Sequence, residues 1–187
     1  NSGNLAATAF NAAPGGKILQ AADHLEPTPG MLLAADRSPR RLRRLRENAS
    51  RMGLSWIRCV AMEAEKPALR GRFDRVLLDA PCSGTGVIRR HPEIRWRRTE
   101  SDIRRHAAAQ DRALRAACGL LAHEGRLVYA VCSLEPEEGS ERIDALLEIG
   151  AQAWMTGTDE ALFRPLGGRA QFFSIKDAAV VGSGSVR

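Results

Sequence analysis

An α/β fold with a mostly parallel sheet is what this sequence predicts, on three observations. Short apolar, strand-like runs alternate with segments of helical period along the chain. Two of those runs end directly at a cysteine, Cys82 and Cys132, with polar or Gly-rich sequence after each. That places both thiols at carboxyl ends of strands, where open α/β sheets keep their ligands. The length, 187 residues, suits one domain with a real core.

The elements follow in order. Leu5 to Phe10 reads as a first strand, then comes the loop Asn11 to Lys17 and a helical pattern from Ile18 to about His24. Met31 to Ala35 is a second strand ending at Asp36. Ser38 and Pro39 form a helix start, an N-cap followed by proline at the first helical position. Leu42, Leu45, Ala49 and Met52 give that helix one apolar face, and Gly53 stops it. Trp56 to Ala61 is a third strand, just before Glu63. Arg75 to Leu78 is a fourth, leading to Asp79 and Cys82. Arg104 to Leu121 reads as a long helix, and Leu127 to Val131 as the strand that delivers Cys132. A helix over Glu137 to Ile149 and closing strands at Ala151 to Thr156 and Gln171 to Ile175 complete the domain, residues 1–177. Residues 178–187 are small and Gly/Ser-containing, and are expected to be a flexible tail.

Composition limits the function classes. Hydrophobic residues make up 44% and charged residues 27%, ordinary for a globular protein. No apolar stretch approaches the roughly 18 residues that span a membrane, and no signal-peptide pattern opens the chain. The four cysteines, Cys59, Cys82, Cys118 and Cys132, show neither a CxxC pair nor zinc spacing. The expectation is a cytoplasmic monomer with free thiols, no metal and no membrane. The net charge is +6. Residues 37–58 carry eight Arg against one Glu, and residues 89–105 carry seven Arg against three acids. Such clusters suit phosphate binding, and they equally suit solvated helix faces in an Arg-rich protein.

Three constellations carry chemistry. Ala12-Ala13-Pro14-Gly15-Gly16-Lys17 lies between the first strand and its helix. Its glycines let the backbone approach a ligand, and the helix start offers unpaired N–H groups. Asp36, 20 residues after Gly16, sits where an acid commonly accepts hydrogen bonds from a ribose. Together they support a nucleoside-containing cofactor, with Glu63 a third polar contact or simply a solvated acid. The second constellation is Asp79-Ala80-Pro81-Cys82, an acid and a thiol that can converge on one small ring. Alternatively, Asp79 caps a turn and Cys82 is a small buried hydrophobe. The third is Cys132-Ser133, followed by Glu135-Pro136-Glu137-Glu138, a loop leading to a helix start. Cys59 and Cys118 read as core.

At these residues the sequence resembles the Sun/Nop family of RNA cytosine-5 methyltransferases. The likeness rests on Ala12 to Lys17, on Asp36-Arg37-Ser38-Pro39, on Leu77 to Gly86 and on Cys132-Ser133-Leu134 with Pro136-Glu137-Glu138. Val87 to Trp96 looks most like the bacterial branch that acts on small-subunit ribosomal RNA. The resemblance implies a Rossmann-like class I methyltransferase fold with a seven-stranded, mostly parallel sheet. It implies S-adenosylmethionine at Asn11, Ala12, Ala13, Pro14, Gly15, Gly16, Lys17, Asp36, Glu63 and Asp79. It also implies that Cys132 adds to C6 of a cytosine, that Asp79 meets the base at N3, and that Cys82 assists product release. Arg89, Arg90, His91 and Arg95 would hold the RNA backbone or pin their own loop.

The sequence departs from the family pattern in places. Ala9-Phe10-Asn11 replaces Asp-x-Cys, Val131 replaces the Thr before Cys132, Glu63 replaces an Asp, and Ala170-Gln171 replaces Asp-Gly. The chain starts almost at its first strand, without the family's helical N-terminal RNA-binding region. The competing expectation is therefore a degenerate paralogue or a fragment that binds RNA or a partner without turnover. A DNA cytosine methyltransferase fits less well, because those enzymes lack the later Cys-Ser block.

Overall fold

The computed structural model describes residues 6–10, 31–142, 172–176 and 179–184, with side chains for 31–142. Five parallel strands form the central sheet: β1 (Ala6–Phe10), β2 (Met31–Asp36), β3 (Arg58–Ala61), β4 (Phe73–Asp79) and β5 (Leu121–Ala130). Their order is β3-β2-β1-β4-β5. The chain lays β2 and β3 to one side of β1, then crosses to place β4 and β5 on the other. The gap between the carboxyl ends of β1 and β4 is thus the topological switch point, where such sheets hold ligands.

Side-chain alternation along β2 decides how the sheet is covered. Leu33 and Ala35 join one core with Val76, Leu78 and Leu127, and Ala113, Leu114 and Ala117 of helix α3 (Glu100–Gly119) pack there. Leu32 and Ala34 point the other way, onto Leu42, Leu45 and Ala49 of helix α1 (Pro39–Arg51). A sheet buried on both faces is typical of parallel strands. Each buried leucine contributes on the order of 2 kcal/mol to the assembly. Between the two long helices lies the four-residue α2 (Ile94–Arg97).

The start and stop of α1 follow the expected chemistry. The Ser38 hydroxyl accepts from the Arg41 N–H at 3.4 Å, Pro39 opens the helix, and Asp36 Oδ1 accepts from the Ser38 N–H at 2.7 Å. Gly53 then adopts φ 73°, and the Leu54 N–H returns to the Ala49 carbonyl at 2.8 Å.

Other boundaries differ from expectation for identifiable reasons. Helix α3 begins at Glu100 rather than Arg104, because Thr99 and Asp102 form a reciprocal capping box. Strand β5 begins at Leu121, six residues early. Phe73 pairs with Leu121 and Arg75 with Arg126, so three extra residues of β5 bulge out between them. Glu124 takes φ 62° there, and a Cβ on Gly125 would lie 2.9 Å from the Ala122 carbonyl oxygen. The third strand is shorter than expected, since the Ile57 N–H is turned back to the Leu54 carbonyl. Of the expected helix from Glu137, a 3₁₀ turn at Pro136–Glu138 and helical residues 140–142 are described.

The described strands do not form one seven-stranded sheet. The last two, β6 (Phe172–Lys176) and β7 (Ala179–Gly184), pair antiparallel with each other in a separate two-stranded sheet. Strand β7 occupies most of the segment expected to be a flexible tail. Val180 and Val181 supply the β-branched character that the surrounding small residues mask. The helix expected at Ile18 to His24 and the strand at Ala151 to Thr156 lie outside the described residues.

Candidate active site

The carboxyl ends of β4 and β5 bring the two cysteine loops together. Asp79 ends β4 in register with Ala130 of β5, and the Ala80 N–H donates to the Ala130 carbonyl at 2.8 Å, carrying the ladder one step past the strand. The loops then turn toward each other, and Cys82 Sγ comes to 3.1 Å from Cys132 Sγ. The Gly86 N–H donates to the Cys132 carbonyl at 3.0 Å. A Cβ on Gly86 would sit 3.0 Å from that same oxygen, so the approach favours glycine.

Cys82 is half-buried and Cys132 exposed. The Cys82 thiol is pushed far above the ordinary thiol range, first by its hydrogen bond to Cys132, then by burial and by negative charge on Cys132. Cys82 therefore keeps its proton, and its Sγ lies within hydrogen-bond distance of Cys132 Sγ, where either thiol can donate. Asp79, half-buried, is the last residue of β4, three residues before Cys82.

The surroundings hold this pair rigidly. Gln110 Nε2 donates to the Pro81 carbonyl at 2.8 Å, and Arg98 Nε donates to the Ser83 carbonyl at 3.0 Å, so the carbonyls either side of Cys82 are both gripped. Ser83 and Glu138 are fully buried. The Ser83 N–H donates to Glu138 Oε1 at 2.8 Å and the Ser83 hydroxyl to Glu138 Oε2 at 2.5 Å. The Tyr129 hydroxyl donates to the Glu138 backbone carbonyl at 3.0 Å, and burial raises its own pKa above the usual phenol range. Ser133 Oγ lies 3.1 Å from both Ser83 Oγ and Thr85 Oγ1.

Sequence reasoning missed Ser83, Thr85, Arg98, Gln110, Ser133 as a bridging group, and Glu138. Ser83, Thr85, Ser133 and Glu138 lie inside the motif blocks but give no sign there of pairing with one another, and Arg98 and Gln110 lie outside those blocks. The burial of Glu138 depends on Ser83, 55 residues away.

Among the positions expected to meet the cofactor, Asp36 is 1% exposed at the end of β2. Its Oδ1 is occupied by the Ser38 N–H and by Arg41 Nε at 3.2 Å. Its Oδ2 is buried without a partner among the described residues. An orphaned acceptor at this sheet edge fits a ribose hydroxyl, which is the donor that S-adenosylmethionine would present. Glu63 is exposed just past β3, where the Met62 N–H donates to the Asp36 carbonyl at 3.2 Å. Asn11, Ala12, Ala13, Pro14, Gly15, Gly16 and Lys17 lie outside the described residues.

Arg89, Arg90, His91 and Arg95 are all exposed on the segment between Cys82 and α3, with His91 Nδ1 3.4 Å from Glu93 Oε1. The arginine that pins the loop is Arg98. Among the described residues no helix is long and apolar enough to cross a membrane.

Comparison with known proteins adds the family. A model of the 16S rRNA methyltransferase family RsmB/F matches residues 7–164. Ribosomal RNA small subunit methyltransferase B of Yersinia pseudotuberculosis is 43% identical over 152 residues, 79% of this chain and 34% of the relative. NSun6 from Pyrococcus horikoshii superimposes with a TM-score of 0.71 at 35% identity, covering 80% of this chain and 38% of the other. A methyltransferase homolog protein from the same organism gives 0.60 at 35% identity, covering 78% and 45%. This chain thus spans about a third of the length of the curated relative it matches.

Proposed function

The chain belongs to the RsmB/F family of 16S rRNA methyltransferases, and from that premise we propose that it methylates C5 of a cytosine in small-subunit ribosomal RNA. The observation that carries the reading is the thiol pair, 3.1 Å apart at the ends of adjacent strands β4 and β5, beside Asp79.

Cytosine C5 is too weak a nucleophile to take a methyl group unaided. The Cys132 thiolate would form a bond to C6, and the C5–C6 π pair would move toward C5, C4 and N3. Asp79 would meet the charge gathering at N3 with a hydrogen bond or a proton. S-adenosylmethionine, when bound, supplies an electrophilic methyl group. Cys82, its own proton passed to water once Cys132 is bonded to C6, would then receive the C5 proton, the freed pair would restore the C5–C6 double bond, a proton given to N3 would return to Asp79, and Cys132 would leave with its bonding electrons.

The electrostatics support this division of labour. Cys82 is held protonated first by its hydrogen bond to Cys132. Once Cys132 is bonded to C6, that acceptor and its charge are gone, so Cys82 becomes easier to deprotonate at the stage when a base is needed. Arg89, Arg90, His91 and Arg95 would hold RNA phosphates, and the target base must be unstacked or already in a loop. Asn11 to Lys17, Asp36, Glu63 and Asp79 would hold the cofactor.

A second reading, RNA binding without turnover, is favoured by one observation. Ala9 and Phe10 fill the end of β1, beside Ala34 and Ala35 of β2 and Leu77 and Leu78 of β4, in place of an acid-containing motif. Labelled S-adenosylmethionine mixed with the chain and unmodified small-subunit RNA separates the two. The enzyme reading expects a methylated cytosine that can be mapped. No transfer, with no cofactor binding by calorimetry, would leave the second reading standing.

A further inference from the structure

We infer that Glu138 is a positioning residue for the reaction, anchoring a directed chain of hydroxyls that locks the Cys82 loop to the Cys132 loop. The inference rests on the reading of the two thiols as the reacting pair.

The direction of the chain follows from donor and acceptor counting. A carboxylate only accepts, so the Ser83 hydroxyl, 2.5 Å from Glu138 Oε2, spends its single proton there. Its 3.1 Å contact with Ser133 must then be one in which Ser133 donates. With that proton used, Thr85 must donate in its 3.1 Å contact with Ser133. The backbone agrees: the Leu134 N–H donates to Thr85 Oγ1 at 2.9 Å and the Glu135 N–H to Ser133 Oγ at 3.1 Å. Hydroxyl protons therefore run from Thr85 through Ser133 and Ser83 to Glu138, crossing between the two segments three times. Chains polarised in one sense strengthen one another.

Two members of the chain, Ser83 and Ser133, directly follow the two cysteines. A shift in either serine is thus passed to the adjoining thiol. Burying a carboxyl group completely costs several kcal/mol unless it is fully bonded. Among the described residues Glu138 forms no ion pair; both of its oxygens are spent on Ser83. An acid placed this way fixes one serine by two bonds, a geometry that an apolar residue cannot reproduce.

The test compares the wild-type chain with Glu138→Ala, Glu138→Gln and Ser83→Ala. Diamide drives Cys82 and Cys132 into a disulfide, and peptide mass spectrometry follows its rate, which reads thiol placement without methyl transfer. Turnover with RNA, KM for RNA, calorimetric cofactor affinity and thermal unfolding are measured alongside. Positioning predicts that Glu138→Ala slows disulfide closure and kcat by on the order of tenfold to a hundredfold, with KM and cofactor affinity within about twofold. Glu138→Gln, whose amide oxygen still accepts from the Ser83 N–H, falls between wild type and alanine. Ser83→Ala slows closure about threefold to tenfold, and it carries the test if Glu138→Ala does not fold. Unchanged closure in a folded Glu138→Ala or in Ser83→Ala overturns the inference. Slowed closure in a chain whose wild type transfers no methyl group leaves the positioning intact and sinks the proposed function instead.

Discussion

Cys82 Sγ and Cys132 Sγ stand 3.1 Å apart although 50 residues separate them in the chain. The half-buried Cys82 has its proton held strongly, and the chief cause is its exposed neighbour. Reactivity should divide accordingly. At neutral pH iodoacetamide is expected to modify Cys132 well before Cys82. Replacing Cys132 with alanine removes the main causes of the upward shift, so Cys82 should then titrate at lower pH. Alkylation rate against pH, read by mass spectrometry, checks both statements, and an unmoved Cys82 profile in Cys132→Ala would contradict the coupling.

Asp36 presents one buried oxygen without a described partner. Asp36→Asn keeps a group that can accept from the Ser38 N–H but turns an amide toward the ligand. Cofactor affinity measured by calorimetry should fall about tenfold to a hundredfold, the value of a hydrogen bond to a charged acceptor. The variant should stay folded by circular dichroism. Unchanged affinity would remove Asp36 from the cofactor site.

Gly86 lies where a Cβ would meet the Cys132 carbonyl oxygen at 3.0 Å. Gly86→Ala must push backbone away from backbone, so the two cysteine loops should separate by a few tenths of an ångström. We expect kcat to fall roughly tenfold, with unfolding lowered by about 1 kcal/mol. Wild-type kcat in this variant would show that the loops tolerate a looser fit.

His106 on α3 has a buried Nε2 without a described partner, and burial lowers its pKa below the usual 6.5. Above about pH 6.5 the imidazole is neutral folded and unfolded, and contributes nothing to pH dependence. As pH falls below that value the unfolded chain takes up the proton first, so stability drops until the folded pKa is passed. His106→Gln should flatten this acid limb in thermal melts between pH 5 and about 6.5. A limb of the same slope in the variant would place its origin elsewhere.

The strands that frame the site were legible because parallel strands read as continuous apolar runs, and Met31 to Asp36 and Phe73 to Asp79 end on residues that stand out. That Cys82 and Cys132 share one sheet edge could be expected from sequence alone, since each ends an apolar run, whereas the adjacency of β4 and β5 could not. What escaped was set by pairing across long sequence distance. The early start of β5 depends on a bulge opposite Phe73 and Arg75, and a bulge leaves no period. The Glu138 clamp depends on a partner 55 residues away, so the residue looked like any exposed acid near a helix start. The β6–β7 pairing was hidden by Gly182, Ser183 and Gly184, whose composition reads as a loose tail.

In the proposed reaction Cys132 attacks the base and Cys82 releases it. Denaturing gel electrophoresis of each variant after incubation with S-adenosylmethionine and unmodified small-subunit RNA distinguishes the two roles. Cys82→Ala should accumulate a covalent protein–RNA adduct, because attack proceeds and release fails, while Cys132→Ala should form none. An adduct formed by Cys132→Ala, with none from Cys82→Ala, would reverse the two roles and contradict the account.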